Sequence, residues 1–191
     1  MEDIFLDFQQ KFLSLCDTIA IKKTHKSSGS ITELLNIPHF SYHNITIQIG
    51  QNFEIAYRYI AKKYAIYLED TKNIPYQVDI LFEKNKKIYY FESKLSLQFD
   101  SEKRIKIINK LKDIENILKK HYKDKEVICK ILTSRYITST EVKYSKIDKN
   151  LIYGYGDFFN LFDRKISENE WQKMFDKLSS VIIKKITEYK F

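Results

Sequence analysis

The sequence predicts a mixed α/β (α+β) protein organised as one domain over residues 1–191. Two features predict it. Apolar residues recur at helical spacing in several stretches, and between them lie two β-branched and aromatic runs joined by a lysine-rich turn, with a further alternating run downstream. With 43% hydrophobic residues spread along 191 positions, the chain can bury a substantial core. It carries neither an apolar run of about 20 residues nor the basic, apolar and small-residue pattern of a secretory signal. A soluble, cytoplasmic protein with no membrane partner is therefore expected.

The first helix is expected in EDIFLDFQQKFLSLCDTIAIKK, where Ile4, Phe5, Phe8, Phe12, Leu15 and Ile19 share one side, ending near the polar stretch THKSSGS. ITELLNIPHF allows one helical turn, and NITIQI reads as extended. After Gly50, QNFEIAYRYIAKKYAIYLED places Phe53, Tyr57, Ile60, Ala61, Tyr64 and Leu68 on a second helical face, with Asn52 as N-cap and Glu54 in the first turn. VDILF and KIYYFESK then form a hairpin. From Asp100 a third helix, with Asp100 or Ser101 as its N-cap, carries Ile105, Ile108, Leu111, Ile114, Ile117 and Leu118 inward and its lysines outward. EVICKILTS reads as a strand buried on at least one face. Ser167 and Glu170 form a capping box for a last helix holding Trp171, Met174, Phe175, Leu178, Ile182 and Ile186.

The formal charge of +8 favours an anionic partner such as nucleic acid. That signal is diluted by composition, because 29 lysines stand against four arginines in a chain rich in Ile, Asn and Tyr, the bias of an AT-rich coding sequence. Cys16 and Cys129 stand alone and read as buried apolar residues, and the four histidines show no metal-ligand spacing. Any chemistry must come from elsewhere.

It comes from the hairpin, VDILFEKNKKIYYFESK, residues 78–94, whose strands are interrupted by charges. Side chains alternate along a strand, so Asp79 shares a face with Leu81, and Tyr90, Glu92 and Lys94 share a face on the second strand. A turn centred between Asn85 and Lys86 sets Asp79 opposite Glu92, with all three charged groups pointing the same way. Facing carboxylates repel unless a cation lies between them. Hard oxygen ligands without a nearby His or Cys suit Mg²⁺, which takes its remaining ligands from water and a substrate phosphate. Lys94 is then placed to orient an attacking water or to stabilise charge growing on phosphorus. A bland alternative stands beside this one: an exposed Glu92–Lys94 ion pair on a solvated sheet, with Asp79 capping a turn.

VD, twelve residues and then ESK resembles the PD-(D/E)xK nuclease signature, with Val78 in place of the motif's proline. The resemblance covers about residues 50–134 and implies a restriction-endonuclease-like core, a small mixed β-sheet flanked by helices, with the C-terminal part left for recognition or dimerisation. It also implies that Asp79 and Glu92 bind Mg²⁺ and that Lys94 assists the water. Many members carry a further acid on the preceding helix, which makes Glu54 a candidate third metal ligand and catalytic residue, although the helix dipole also favours an acid in a first turn. LSLQFDSEK resembles the lead-in to the next helix in short Type II restriction endonucleases. Lys103 and Arg104 there, and Arg135 in RYITSTEVKYSKIDKN, are candidate DNA contacts.

The expected activity is Mg²⁺-dependent, site-specific cleavage of double-stranded DNA by a Type II restriction enzyme, as a homodimer because a palindrome cut on both strands needs two sites. A resolvase or repair nuclease of the same fold, and a non-catalytic DNA-binding subunit, remain as alternatives.

Overall fold

The computed structural model describes residues 3–21, 42–69, 74–134 and 139–188, with the side chains of residues 42, 43 and 139–141 left aside. Its elements in chain order are α1 (Ile4–Cys16), α2 (Tyr42–Tyr64), β1 (Ile66–Tyr67), β2 (Ile80–Lys84) and β3 (Lys87–Lys94), followed by α3 (Ser101–His121) and β4 (Glu126–Thr133). Then come α4 (Ser139–Ser145), a 3₁₀ turn, β5 (Ile152–Gly154), α5 (Tyr155–Asn160) and α6 (Glu168–Glu188).

The strands form one mixed sheet in the order β1-β2-β3-β4-β5. β1, β2 and β3 run antiparallel in succession, whereas β4 lies parallel to β3 and β5 parallel to β4. The β2–β3 turn has positive φ at both central residues, Asn85 (52°) and Lys86 (60°), the backbone that a two-residue turn needs to match the strand twist. That turn sets the register Ile80↔Phe91, Leu81↔Tyr90 and Phe82↔Tyr89.

Alternation divides the sheet's side chains between two cores. Ile80, Phe82, Tyr89, Phe91 and Leu132 face an aromatic layer from α1, α2, α5 and α6, in which Phe8, Phe12, Phe53, Tyr57 and Trp171 stack on one another. Leu81, Ile88, Tyr90, Cys129 and Ile131 face an aliphatic layer from Leu111, Ile114 and Leu118 of α3. Trp171 and Met174 lie within the aromatic core, and the Trp171 indole N–H donates to the Ser134 carbonyl at 3.0 Å. Both cysteines are buried and free, burial pushing Cys16 up to about 11 and Cys129 to about 12.

The expected capping boundaries hold. The Asp100 carboxylate accepts from Lys103 N at 2.8 Å, and Ser167 and Glu170 exchange the reciprocal bonds of a capping box. Other expectations are corrected. NITIQI is helical, since α2 begins at Tyr42 and runs straight through Gly50. Ile45, Ile49 and Phe53 follow one another at four-residue spacing into the aromatic core, and Gln48 clamps the chain after α1 by bonding both Ala20 N and Ala20 O. Packing of this stripe overrides the β-propensity of the isoleucines and threonine. Asn52 is therefore no N-cap. It is buried inside the helix, donating to Cys16 Sγ at 3.7 Å. The first helix ends at Cys16 and the second at Tyr64, so Ile19 and Leu68 pack from beyond them. On α3 the inward stripe is Ile107, Leu111, Ile114 and Leu118, while Ile105 is 55% exposed.

Candidate active site

The register places the two hairpin acids side by side. Asp79 immediately precedes β2, and continuing the ladder one residue beyond Ile80↔Phe91 brings it alongside Glu92. A hydrogen bond from Ser93 N to Asp79 Oδ2, at 2.9 Å, fixes that approach. Both acids are almost wholly buried, Asp79 at 6% and Glu92 at 5% exposure, so a solvated surface ion pair is ruled out.

The cation between them in this structure is lysine. Lys94 Nζ lies 2.7 Å from Glu92 Oε1 and 3.8 Å from Asp79 Oδ2. A second lysine, Lys110 of α3, reaches Glu92 Oε2 at 2.6 Å, and the Tyr90 hydroxyl donates to the same oxygen at 2.7 Å. Both oxygens of Glu92 are thus engaged by charge-assisted bonds, the strong kind.

From the other side, α2 supplies Glu54 and Arg58, which are ion-paired one helical turn apart, and Arg58 Nε donates to the Asp79 carbonyl at 3.0 Å. Because α2 starts at Tyr42, Glu54 stands in mid-helix rather than in a first turn. The helix dipole therefore gives no account of an acid there. Its field reaches the hairpin acids, for burial foremost and then Asp79 push the Glu54 carboxyl above its ordinary range, against the pull of Arg58 and Lys94.

The two hairpin acids are not equivalent. Burial and the neighbouring Glu92 charge raise Asp79. Burial would raise Glu92 too, but Lys94, Lys110 and Tyr90 together outweigh it and hold Glu92 low. Tyr90 itself is driven far upward by burial and by Glu92, so its hydroxyl stays protonated and can only donate to that carboxylate. The sheet end therefore brings together one acid held below its ordinary range and two held above theirs, the kind of separation found where protons are moved or cations bound.

Of the candidate residues, Asp79, Glu92, Lys94 and Glu54 come together. Lys103, 72% exposed, pairs with Asp100 at 3.4 Å, and Arg104 is half-buried nearby on α3. Neither is among the described partners of Asp79 or Glu92. Arg135 lies outside the described residues. Strand parity places Tyr90 on the face of Glu92 and Lys94 without giving it a role, and neither Lys110 nor Arg58 is singled out from the sequence. For Lys110 a signal existed: it sits three residues after Ile107 and four before Ile114, on the edge of the inward stripe, where a lysine is out of place unless it has a buried partner.

Among the described residues, no group of three or more His, Cys, Asp or Glu side chains is gathered as a self-sufficient metal cage. The Asp79–Glu92 pair offers two hard carboxylates, the donor type and number with which Mg²⁺ is commonly held while water and a substrate phosphate complete its shell. The residues fit such an ion on condition that Glu92 exchanges a lysine partner for it. No helix among the described residues is long and apolar enough to cross a membrane. Protein-family models, characterised proteins and solved structures yield no match to this chain.

Proposed function

We propose that this protein is a Mg²⁺-dependent endonuclease that hydrolyses phosphodiester bonds of double-stranded DNA, and within that class a Type II restriction enzyme acting as a homodimer. The observation that carries this is the placing of Asp79, Glu92 and Lys94 at one sheet end, two buried acids sharing one lysine. The element order supports it as well. A helix, an antiparallel hairpin, a second helix and a strand parallel to the hairpin's second strand follow one another in the order expected from the PD-(D/E)xK resemblance.

In this role Asp79 and Glu92 hold Mg²⁺, which when bound neutralises phosphate charge and acidifies water. Lys94, on the more open side of the cluster at 29% side-chain exposure, orients the attacking water and meets charge developing on the phosphate. Tyr90 keeps Glu92 from rotating, and Arg58 holds the strand entry at Asp79 against α2. Glu54, held above its ordinary range by burial and by Asp79, is the candidate further acid on α2 that would complete the site. The surface lysines supply sequence-independent attraction to the phosphate backbone.

One observation favours a second reading. Glu92 is fully partnered by Lys94, Lys110 and Tyr90, as in a structural ion-pair network, which suits a non-catalytic DNA-binding subunit. Digestion of a long mixed-sequence DNA separates the two. Discrete fragments in Mg²⁺, none in EDTA, and binding without cutting in Ca²⁺ are expected, and sequencing the ends yields the site. Smeared or branch-specific cutting points to a repair or resolving nuclease. Binding with no cutting in any divalent ion would establish the subunit.

A further inference from the structure

The geometry points to Lys110 as an internal competitor for the cation position: it holds Glu92 when no divalent ion is present and must leave before one can bind there. This inference rests on the metal-dependent reading above and names a control within it.

With all three acids ionised, the charges of the cluster balance without a metal. Asp79, Glu92 and Glu54 face Lys94, Lys110 and Arg58, each acid within reach of a cation of the set. A divalent ion added to a balanced cluster leaves it strongly positive. Either a lysine departs or an anion enters. Lys94 contacts both hairpin acids and lies one pleat from Glu92 on the same strand, so its ammonium is held close by the backbone that carries Glu92. Lys110 arrives from a separate element, α3, on a flexible four-carbon stem, pairs with Glu92 alone among the described residues and keeps 18% of its side chain exposed. It is the partner that can swing to solvent without disturbing the ladder. Once displaced, its ammonium stands beside the cluster as a donor for an incoming phosphate oxygen.

Divalent cation and DNA should then bind cooperatively, since phosphate supplies the negative charge that the cation and the released lysine both require. Without DNA, cation binding should be weak because it works against Lys110.

The test uses the full-length protein and Mn²⁺ as the probe, with free ion followed by electron paramagnetic resonance in the absence of DNA. Lys110→Met keeps the apolar stem and removes the charge. It is expected to bind Mn²⁺ about tenfold or more tighter than wild type, within the usual range of coupling between sites. Lys110→Arg, which keeps the charge, should stay near wild type. Addition of a DNA duplex should tighten Mn²⁺ binding in wild type and much less in Lys110→Met. Equal Mn²⁺ affinity in wild type and Lys110→Met, with Asp79→Asn abolishing binding in both, would overturn the role of Lys110 and leave the metal site standing. Absence of Asp79-dependent Mn²⁺ binding in every variant, folded by circular dichroism and with DNA present, would overturn both.

Discussion

The two ends of the β2–β3 hairpin use the same residue types for different purposes. At the turn end, Glu83 pairs with Lys125 at 2.6 Å and Glu126 with Lys87 at 2.7 Å, one lysine to each acid. Lys84 and Lys87 lie directly opposite each other, and their repulsion is relieved as Lys87 turns to Glu126 and Lys84 rests over the Phe162 ring. Pairs of this sort near a surface are worth about 0–1 kcal/mol and serve solubility and register. At the open end the acids outnumber what a hairpin needs, both are buried, and a cation is shared between them. Burying charge costs several kcal/mol per ion before pairing, and well-packed apolar residues are often as stable or more so. Charge that stability does not require, gathered where β2 begins and β3 ends, is the ground for proposing a site at the open end.

The largest expected effect breaks that end. Asp79→Ala or Lys94→Ala should lower cleavage by about 10²–10³-fold or more, as loss of a metal ligand or charge-stabilising donor does, while salt-sensitive DNA binding in Ca²⁺ persists. Glu54→Ala should cost less. The equivalent change at the turn end, Lys125→Ala, should leave the rate unaltered, and gel-based cleavage assays decide each case.

Stability offers a sharper contrast, because Asp79 and Glu92 should respond in opposite directions. Glu92→Gln strips the shared anion from Lys94 and Lys110 and should destabilise the metal-free protein by roughly 1–3 kcal/mol, less than the 3–5 typical of fully buried pairs because both lysines reach solvent. Asp79→Asn removes a charge that burial and Glu92 disfavour, keeps an acceptor for Ser93 N, and should raise the melting temperature in EDTA. Shifts of the same sign in thermal denaturation would contradict the division between the acids.

The pH dependence follows with its signs. Asp79 and Glu54 have folded pKa values above their ordinary 3.8 and 4.5, so their ionised forms are what folding disfavours. Their cost is absent below those ordinary values and grows as pH rises through the folded ones. Glu170, away from the hairpin, is held at about 2 by its bonds from Ser167 and Arg164, so its contribution is present above 4.5 and lost as pH falls toward 2. Equilibrium unfolding of Asp79→Asn against pH should therefore show a flatter decline toward neutrality than wild type, with acid unfolding unchanged. Smallest of all, Ser167→Ala should cost about 1 kcal/mol by removing the α6 cap, with no effect on cleavage.

The legible parts of this site were those in which neighbours in sequence are neighbours in space. Parity along a strand and the turn chemistry of Asn85–Lys86 were enough to set Asp79 against Glu92 with Lys94 beside them. α2 was misread at its start because a window over NITIQI looks β-branched, whereas the spacing of Ile45, Ile49 and Phe53 through Gly50 is helical. The same error hid the mid-helix position of Glu54. Lys110 was passed over because lysines on an amphipathic helix usually face water, and its partner lies 18 residues away on another element.

By itself, then, the sequence determined the hairpin register, the shared face of its three charges, a cap at Asp100 or Ser101, the capping box at Ser167, and the mixed helical and strand content, since each depends on backbone sterics and periods that act over a few residues. Only the tertiary structure decided which acid is shifted up, which down, and which cation lies between them. Those properties depend on α2, β3 and α3 meeting at one buried point, where charge interactions vary with distance and desolvation rather than with position along the chain.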